Sequence, residues 1–244
     1  MTSGEHAPGR PDLGAWRLSS GQLAQLEALL GLLEADEHAP TTVRAAARAA
    51  EIHVADSLAA LDVDALATAR RIADLGSGAG FPGLAIAIAL PQVEVSLIES
   101  QRRKCDFLER MCATASIENA RVVWTRAEEW GAGAADNDVV LARALAPQPV
   151  VLEYASPLLC VGGMLVDWRG RRDRAAEDGA ERAAEVLGLS RLEIRRVTPF
   201  EQATDRHLHV FSKARETPSR FPRRPGIARK RPLGTRESAP GHGT

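Results

Sequence analysis

Apolar residues recur along positions 71–213 in two patterns that alternate with each other. Short apolar runs of strand length are followed by stretches in which apolar positions fall three or four residues apart. The predicted strands are 71–75, 94–98, 120–125, 138–141, 163–168, 191–198 and 207–213. The predicted helices between them are 83–90, 103–116, 147–159 and 171–187. This alternation predicts an α/β fold, a mostly parallel seven-stranded sheet with helices on both faces, closed by an antiparallel pair.

Residues 19–69, before the first predicted strand, follow a mainly helical pattern. The clearest helix is 19–35, which Ser19 or Ser20 can cap. Its apolar stripe consists of Leu23, Leu26, Leu29, Leu30 and Leu33. Shorter helices are predicted at 42–50, 56–61 and 63–69. We therefore expect a flexible leader at 1–17, a helical N-terminal cap at 18–69, a sheet domain at 70–215 and a basic tail rich in Pro and Arg at 216–244.

Charge is spread unevenly along the chain. The net charge is −1, yet residues 213–236 hold nine Lys or Arg and one acid, which leaves −9 for the rest. A basic tail on a mildly acidic body favours an anionic partner, above all a nucleic acid. Because the tail is rich in Pro, Gly and basic residues, we expect it to be irregular, or ordered only on binding.

Composition points to a cytoplasmic protein without a membrane partner. No apolar run reaches the length of a membrane span, and residues 1–11 lack the apolar core of a signal peptide. The three cysteines, Cys105, Cys112 and Cys160, show no metal-ligand spacing. An odd count without a signal sequence indicates reduced thiols, and no metal site is expected.

The first predicted strand runs into a glycine-rich loop, in the segment Asp74-Leu-Gly-Ser-Gly-Ala-Gly-Phe-Pro-Gly83. Gly76, Gly78 and Gly80 allow a sharp turn and a close approach to a ligand. Asp74 places a carboxylate beneath the loop. This arrangement resembles motif I of the class I S-adenosylmethionine-dependent methyltransferases, in which the acid and the glycines hold the methionine part of the cofactor.

Two other interpretations of the loop remain open at this point. Gly78, Gly80 and Gly83 spell the G-x-G-x-x-G of nicotinamide-binding loops, with Glu99 about 20 residues on. However, those glycines normally begin directly after the strand, and Pro82 removes a backbone N–H that a pyrophosphate would use. The other interpretation is a tight turn that binds no ligand.

Three further strand ends carry polar residues at the edge where an open parallel sheet binds its ligand. Glu99 ends the second strand, where a carboxylate can accept both ribose hydroxyls. The segment 126–129, which contains Glu128, follows the third strand and can read an adenine. Arg143 follows the fourth strand, beside the expected sulfonium.

Residues that other methyl acceptors require are missing after the fourth strand. An exocyclic base amine usually comes with an N-P-P-Y-like segment, and this chain has Arg143-Ala-Leu-Ala-Pro147. Carbon-5 of a pyrimidine needs a cysteine nucleophile, and no cysteine lies there. The N7 of guanine needs neither, since it offers a free lone pair and loses no proton, so in-line positioning is enough.

Four segments together resemble one family. They are Glu51-Ile-His-Val-Ala-Asp-Ser-Leu58, Asp74-Leu-Gly-Ser-Gly-Ala-Gly-Phe-Pro-Gly83, Val139-Val-Leu-Ala-Arg-Ala144, and the tail with Phe221-Pro-Arg-Arg-Pro-Gly226 and Lys230-Arg-Pro-Leu233. They are similar to RsmG, also called GidB, the bacterial methyltransferases of 16S ribosomal RNA. The resemblance covers about 18–233. It implies a class I, Rossmann-like methyltransferase domain and S-adenosylmethionine-dependent methylation of guanine N7 at one RNA site (position 527, in the 530 loop).

The resemblance also implies roles for matching residues. The cofactor-binding residues would be Asp74, Gly76, Gly78, Gly80, Phe81, Glu99, Ala127, Glu128 and Arg143. Arg143 would also be the catalytic residue, positioning the base or the cofactor without accepting a proton. The RNA-binding residues would be Arg169, Arg223, Arg224, Arg229, Lys230 and Arg231. The partner would be 16S rRNA or the small ribosomal subunit, bound by a monomer.

Some positions keep a second interpretation or depart from the family. His53, Asp56 and Ser57 match a helical signature near the mouth of the site, yet they can also simply cap and pack a helix. Ala142 replaces the family's usual serine, and Arg169 replaces its usual lysine, which keeps the charge but changes the hydrogen-bond geometry. The alternatives in function are a nicotinamide-dependent oxidoreductase and a non-catalytic RNA-binding module.

Overall fold

The computed structural model describes residues 16–235, which build a seven-stranded sheet. The strands are β1 (Arg71–Leu75), β2 (Glu94–Glu99), β3 (Ala120–Trp124), β4 (Asn137–Arg143), β5 (Leu159–Arg169), β6 (Leu189–Arg196) and β7 (His207–Lys213). Their order is β3-β2-β1-β4-β5-β7-β6. Strands β1 to β5 pair in parallel, and β7 is antiparallel to both β5 and β6. The predicted fold class is confirmed. The order reverses between β1 and β4, which opens a crevice at the carboxyl ends of these strands.

Helices cover both faces of the sheet. They are α1 (Ser20–Ala35), α2 (Ala46–Ala49), α3 (Asp56–Leu58), α4 (Asp64–Thr68), α5 (Gly83–Ala89), α6 (Arg102–Thr114), α7 (Gln148–Ala155), α8 (Arg174–Leu187) and α9 (Ile227–Lys230). The core on one face includes Ile72 of β1 and Phe107 of α6, and the core on the other includes Ala73 of β1 and Val151 of α7. Within residues 16–235, no helix combines the length and the apolar character needed to cross a bilayer.

The boundary between α7 and β5 differs from the prediction. A helix was predicted over 147–159, but α7 ends at Ala155 because Pro157 cannot continue it. Strand β5 then begins at Leu159, four residues earlier than predicted. Gly162, with a φ of 91°, lies within β5. Gly162 and Gly163 interrupt the alternation of apolar and polar side chains that identifies a strand, because glycine has no side chain. The first part of β5 was therefore not predicted.

The N-terminal cap begins as predicted and then departs from regular α-helix. Ser19 caps α1 in a capping box with Gln22. The helix predicted over 42–50 begins only at Ala46 and continues through a π-helical turn, Ala50–Ala55. In that turn the Asp56 N–H donates to the carbonyl of Glu51, five residues back. Such turns are rare and concentrate at functional sites.

The basic tail packs against the body as far as residue 235, and within 216–235 its backbone is irregular outside α9, as expected. Ala228 of α9 is only 1% exposed, and Phe221 is also buried. Arg223 holds Glu153 of α7 through Nε–Oε1 and Nη2–Oε2 contacts of 2.8 and 2.5 Å. The Arg223 backbone N–H donates to the same carboxylate at 3.0 Å. Residues 1–15, most of the expected leader, and 236–244 lie outside the described part.

Arg223→Met should loosen the tail. Glu153 is 1% exposed, so removing the Arg223 guanidinium leaves a buried carboxylate whose remaining donor is the backbone N–H of residue 223. We expect the free energy of unfolding in urea to fall by about 3 kcal/mol. We also expect trypsin to cut the tail faster in the folded protein.

Arg224→Met is the matched control. Arg224 is exposed and has no ion pair within the described chain, so its loss should change stability by less than about 0.5 kcal/mol. Equal stability of the two variants would show that the pair with Glu153 does not hold the tail.

Candidate active site

The glycine loop after β1 takes a backbone conformation that most residues avoid. Gly76, Gly78 and Gly80 have φ values of 68°, 58° and 97°. The N–H groups of Gly76 and Ser77 donate to the carbonyl of Ile98 at 2.8 and 3.2 Å, which folds the loop over the end of β2. A Cβ on Gly76 would lie 2.6 Å from Leu145 Cδ1. The absence of a side chain at Gly76 therefore keeps open the space above the loop.

Asp74 lies beneath this loop with one oxygen unused. Its Oδ2 accepts the Gly83 N–H at 3.2 Å, and Oδ1 has no hydrogen-bond partner within the described chain. Burial raises the pKa of this carboxyl to about 6, against the smaller opposite effects of Ser77 and Gly83. An unsatisfied buried acceptor is costly, so it marks a place for a donor from outside the chain.

Glu99 ends β2, and its carboxylate collects backbone donors. Oε2 accepts the Gly78 N–H at 3.2 Å. Oε1 accepts the N–H groups of Ser100 and Gln101 at 2.8 and 2.9 Å. The carboxylate thus fixes the glycine loop to the end of β2. Its predicted contact with a ribose stays a prediction.

A cavity of about 70 Å³ is lined by Gly76 and by the two residues predicted to contact the adenine. Ala127 and Glu128 line it, together with Leu145 and Arg229. Glu128 Oε1 accepts the Gly226 N–H of the tail at 3.2 Å, and Arg229 Nη2 donates to the Leu145 carbonyl at 2.9 Å. The tail therefore contacts the rim of this cavity.

The polar groups of the glycine loop and of the strand that precedes it suit S-adenosylmethionine, whereas the neighbouring cavity is small for that molecule. The free oxygen of Asp74 suits the ammonium of a methionine moiety, and Gly76 leaves room for close approach. The cavity is smaller than the roughly 300–1,000 Å³ of most ligand pockets. Leu145 contributes to its wall through a flexible side chain, and Arg229 does so from the tail. Movement of these two side chains would enlarge the cavity.

Arg143, at the end of β4, is the centre of a buried cluster. Its Nη1 donates to Asp56 Oδ2 and to the Ile52 carbonyl, both at 3.0 Å. Its Nη2 lies 3.3 Å from His53 Nδ1. Since arginine only donates, His53 Nδ1 accepts, and Nε2–H can donate to Thr41 Oγ1 at 3.0 Å. Burial and the charge of Arg143 lower the pKa of His53 to about 4.

The π-helical turn connects this cluster to the glycine loop. The ring of His53 stacks on Phe81 with centroids 5.1 Å apart and an angle of 14° between the planes. The Ser57 hydroxyl donates to the His53 carbonyl. Phe81 therefore contacts the helical cap rather than the cavity beside Gly76. Its predicted cofactor contact stays a prediction.

Two residues of the cluster escaped sequence analysis. Trp168 Nε1 donates to the Asp56 carbonyl at 2.8 Å, and Arg206 Nε lies 3.5 Å from Asp56 Oδ1. Arg206 directly precedes β7, whose first residue pairs with Arg169 at the end of β5. The sequence did predict that the last strands pair antiparallel. That prediction places the start of β7, and with it Arg206, at the ligand-binding edge of the sheet.

A second cavity, of about 420 Å³, opens at this cluster. Its walls include His53, Asp56, Arg143, Arg169 and Arg206. It lies at the carboxyl ends of β4 and β5, next to the stack of His53 on Phe81. We refer to it as the acceptor cavity; it is connected to the glycine loop through His53, which lines it and stacks on Phe81.

Comparison with known families decides the class of the protein. The family model of GidB, rRNA small subunit methyltransferase G, matches residues 22–209. The chain belongs to the GidB family. Membership confirms the predicted family, the methyltransferase class and S-adenosylmethionine as the cofactor, and it excludes a nicotinamide oxidoreductase.

Individual relatives agree with the GidB assignment. Ribosomal RNA small subunit methyltransferase G of Syntrophomonas wolfei is 39% identical over 185 residues, covering 75% of this chain and 86% of that protein. The protein of the same name from Rubrobacter xylanophilus is 41% identical over 187 residues, covering 74% and 72%.

Solved structures share the fold. A predicted O-methyltransferase from Agrobacterium tumefaciens is 27% identical with a TM-score of 0.51, covering 66% of this chain and 81% of that one. The 1,6-didemethyltoxoflavin-N1-methyltransferase of Burkholderia thailandensis has a TM-score of 0.51 at 14% identity, covering 67% and 80%.

The RNA-binding residues predicted from the GidB resemblance fall into two groups. Arg224, Lys230 and Arg231 are exposed on the tail. Arg223 is engaged by Glu153, Arg229 also bonds the Leu145 carbonyl, and Arg169 bonds Asp167 at 2.6 Å. Only the first group therefore presents charges without a partner in the described chain.

Proposed function

We propose that this protein transfers the methyl group of S-adenosylmethionine to N7 of a guanine in 16S rRNA. The observation that carries the proposal is the acceptor cavity beside the glycine loop. Among the described residues that line it, the acid–base groups His53 and Asp56 are both engaged by Arg143. Both ring nitrogens of His53 are in hydrogen-bond contacts, and the Asp56 carboxylate lies between the guanidinium groups of Arg143 and Arg206. We therefore assign neither residue the role of a general base, and N7 has no proton to lose.

Each end of the cofactor has a candidate partner. S-adenosylmethionine supplies an electrophilic methyl group. Asp74 would orient the methionine end, Glu99 the ribose and Glu128 the adenine. Gly76, Gly78 and Gly80 would allow the backbone to approach. The Asp56 carboxylate fixes the orientation of the Arg143 guanidinium. Arg143 would then position the guanine or the cofactor at the point where the two meet.

The exposed basic residues of the tail would bind the RNA backbone. Arg224, Lys230 and Arg231 can neutralise phosphates, so affinity should fall steeply as salt is added. Arg169 would contribute at the acceptor cavity. We propose that the protein acts as a monomer in the cytoplasm, on rRNA or the small subunit, without a membrane partner.

Methyl transfer from labelled S-adenosylmethionine tests the proposal. Substrates would be naked 16S rRNA and small subunits isolated from cells that lack this modification. We expect one labelled guanosine, mapped by chain cleavage at 7-methylguanosine. Small subunits from cells that carry the modification are the control and should accept no label. Cofactor binding without any transfer to either RNA would contradict the assigned substrate and favour a non-catalytic RNA-binding module.

A further inference from the structure

A third cavity, of about 580 Å³, lies beside the acceptor cavity. It is enclosed by the start of α7, the first turns of α8 and the tail residues Pro232–Thr235. Arg169 lines both cavities, so they are neighbours at the carboxyl edge of the sheet. None of the roles assigned above uses this space.

At its inner end the third cavity holds a buried donor without a partner. His209 is 3% exposed, and its Nε2 has no hydrogen-bond partner within the described chain. The Gln148 side-chain amide donates to Asp167 Oδ2 at 3.0 Å and lies 3.0 Å from His209 Nδ1. Gln148 Oε1 lies farther from Nδ1, at 3.3 Å, so we take the shorter contact as the hydrogen bond, in which Nδ1 accepts and the ring hydrogen lies on Nε2. The ring stays neutral, since burial lowers the pKa of His209 to about 4.

The walls and rim of the third cavity differ in character. Ala175, Ala176 and Leu233 contribute apolar surface. Arg171 lies at the exposed rim and has no ion pair or hydrogen bond among residues 16–235. Arg172 is neutralised by Glu177 through contacts of 2.8 and 2.7 Å. The cavity thus combines apolar surface, the His209 ring at its inner end and, at its mouth, the cation of Arg171; Arg182, which also lines it, bonds the Gly234 carbonyl.

We propose that the third cavity binds a nucleotide of the RNA that flanks the target guanosine. This inference rests on the proposed function. A base has flat apolar faces and ring acceptors for His209 Nε2–H, and its phosphate suits Arg171. A lone phosphate would leave the apolar walls uncovered, and the volume lies in the range of pockets for whole small molecules. The shared wall at Arg169 places this nucleotide next to the guanine.

Filling the cavity tests the inference. Ala176 is exposed on α8, so Ala176→Trp can occupy the space without disturbing the core. We expect the KM for the small subunit to rise about tenfold or more, with the affinity for S-adenosylmethionine unchanged. Ala113→Trp, at an exposed position of α6, is the matched control and should leave KM unchanged.

A charge reversal gives a second variant that does not depend on packing. Arg171→Glu should raise KM several-fold, whereas Arg174→Glu, which is exposed and outside the cavity, should not. Binding of the four nucleoside monophosphates and of inorganic phosphate, followed by NMR, separates a nucleotide site from a simple anion site. We expect at least one nucleotide to shift the His209 ring signals and Ala176→Trp to abolish that shift.

The outcomes separate this inference from the proposed function. Methylation by the original protein with a KM that neither variant changes would overturn the inference and leave the function intact. Phosphate binding as tightly as every nucleotide would also overturn it. Absence of methylation, together with nucleotide binding that Ala176→Trp abolishes, would overturn the function and retain the cavity as a nucleotide site.

Discussion

Asp74→Asn should make the folded protein more stable above neutral pH and, at the same time, weaken its binding of S-adenosylmethionine. Asp74 is buried with one unpartnered oxygen, so its negative charge is costly in the folded chain. Asparagine can keep the acceptor for the Gly83 N–H and removes that charge. It also removes the anion proposed to attract the methionine ammonium, so we expect the dissociation constant to rise about 10- to 100-fold.

The stabilisation should depend on pH in a defined direction. Burial raises the pKa of Asp74 from 3.8 to about 6 in the folded protein. Between these values the folded chain holds a proton that the unfolded chain releases, so stability falls as pH rises through this window. Above about pH 7 the cost reaches on the order of 3 kcal/mol at most. Urea unfolding at pH 8 should therefore show a gain of about 1–3 kcal/mol for Asp74→Asn, and at pH 4 almost none.

Asp167→Asn is the matched control. Burial raises the pKa of Asp167 to about 6 as well, and this carboxylate lies beside Gln148, away from the glycine loop. Its replacement should reproduce the direction of the pH dependence and leave cofactor affinity unchanged. If Asp74→Asn bound S-adenosylmethionine as tightly as the original protein, the proposed role of Asp74 would be wrong.

The sheet and the cofactor loop could be predicted because their signals are local. An apolar run, three glycines at alternate positions and an apolar helix lie within 71–90, and the backbone there folds as that order implies. The capping box of α1 is equally local, since Ser19 and Gln22 are three residues apart. Patterns of this range can be recognised in the sequence because all their residues lie within a short segment, even where the hydrogen bonds come from elsewhere, as from Ile98 to the glycine loop.

The parts that escaped prediction depend on contacts between distant residues. Arg223 and Glu153 are 70 positions apart, so a tail that looked like free positive charge is in fact held by a buried acid. Arg206 lies near Asp56 because β7 runs antiparallel to β5, which brings the residue before β7 to the end of β5. The π-helical turn at Ala50–Ala55 has no periodicity signal of its own. The turn is stabilised by Arg143, about 90 residues later in the chain, which contacts the Ile52 carbonyl and the His53 ring.

Arg143→Met should strongly reduce the rate of methyl transfer and destabilise the fold, and a double variant can separate these effects. Asp56 is buried, so loss of the guanidinium leaves its carboxylate with only the more distant Arg206. We expect a loss of about 3–5 kcal/mol in urea unfolding and at least about a 100-fold fall in kcat with small subunits. Arg143→Lys should recover part of the stability but little of the rate, because an ammonium cannot hold Asp56, Ile52 and His53 together in fixed directions.

Arg143→Met combined with Asp56→Asn decides whether Arg143 acts in the reaction or only in the fold. Removing both charges leaves no buried carboxylate, so most of the lost stability should return. If Arg143 positions the guanine against the methyl group, kcat stays as low as in the single variant even though the protein is stable and still binds S-adenosylmethionine. If the arginine only neutralises Asp56, the rate recovers together with the stability. Thermal unfolding, cofactor titration and single-turnover methylation of the same preparations therefore distinguish a positioning role from a structural one.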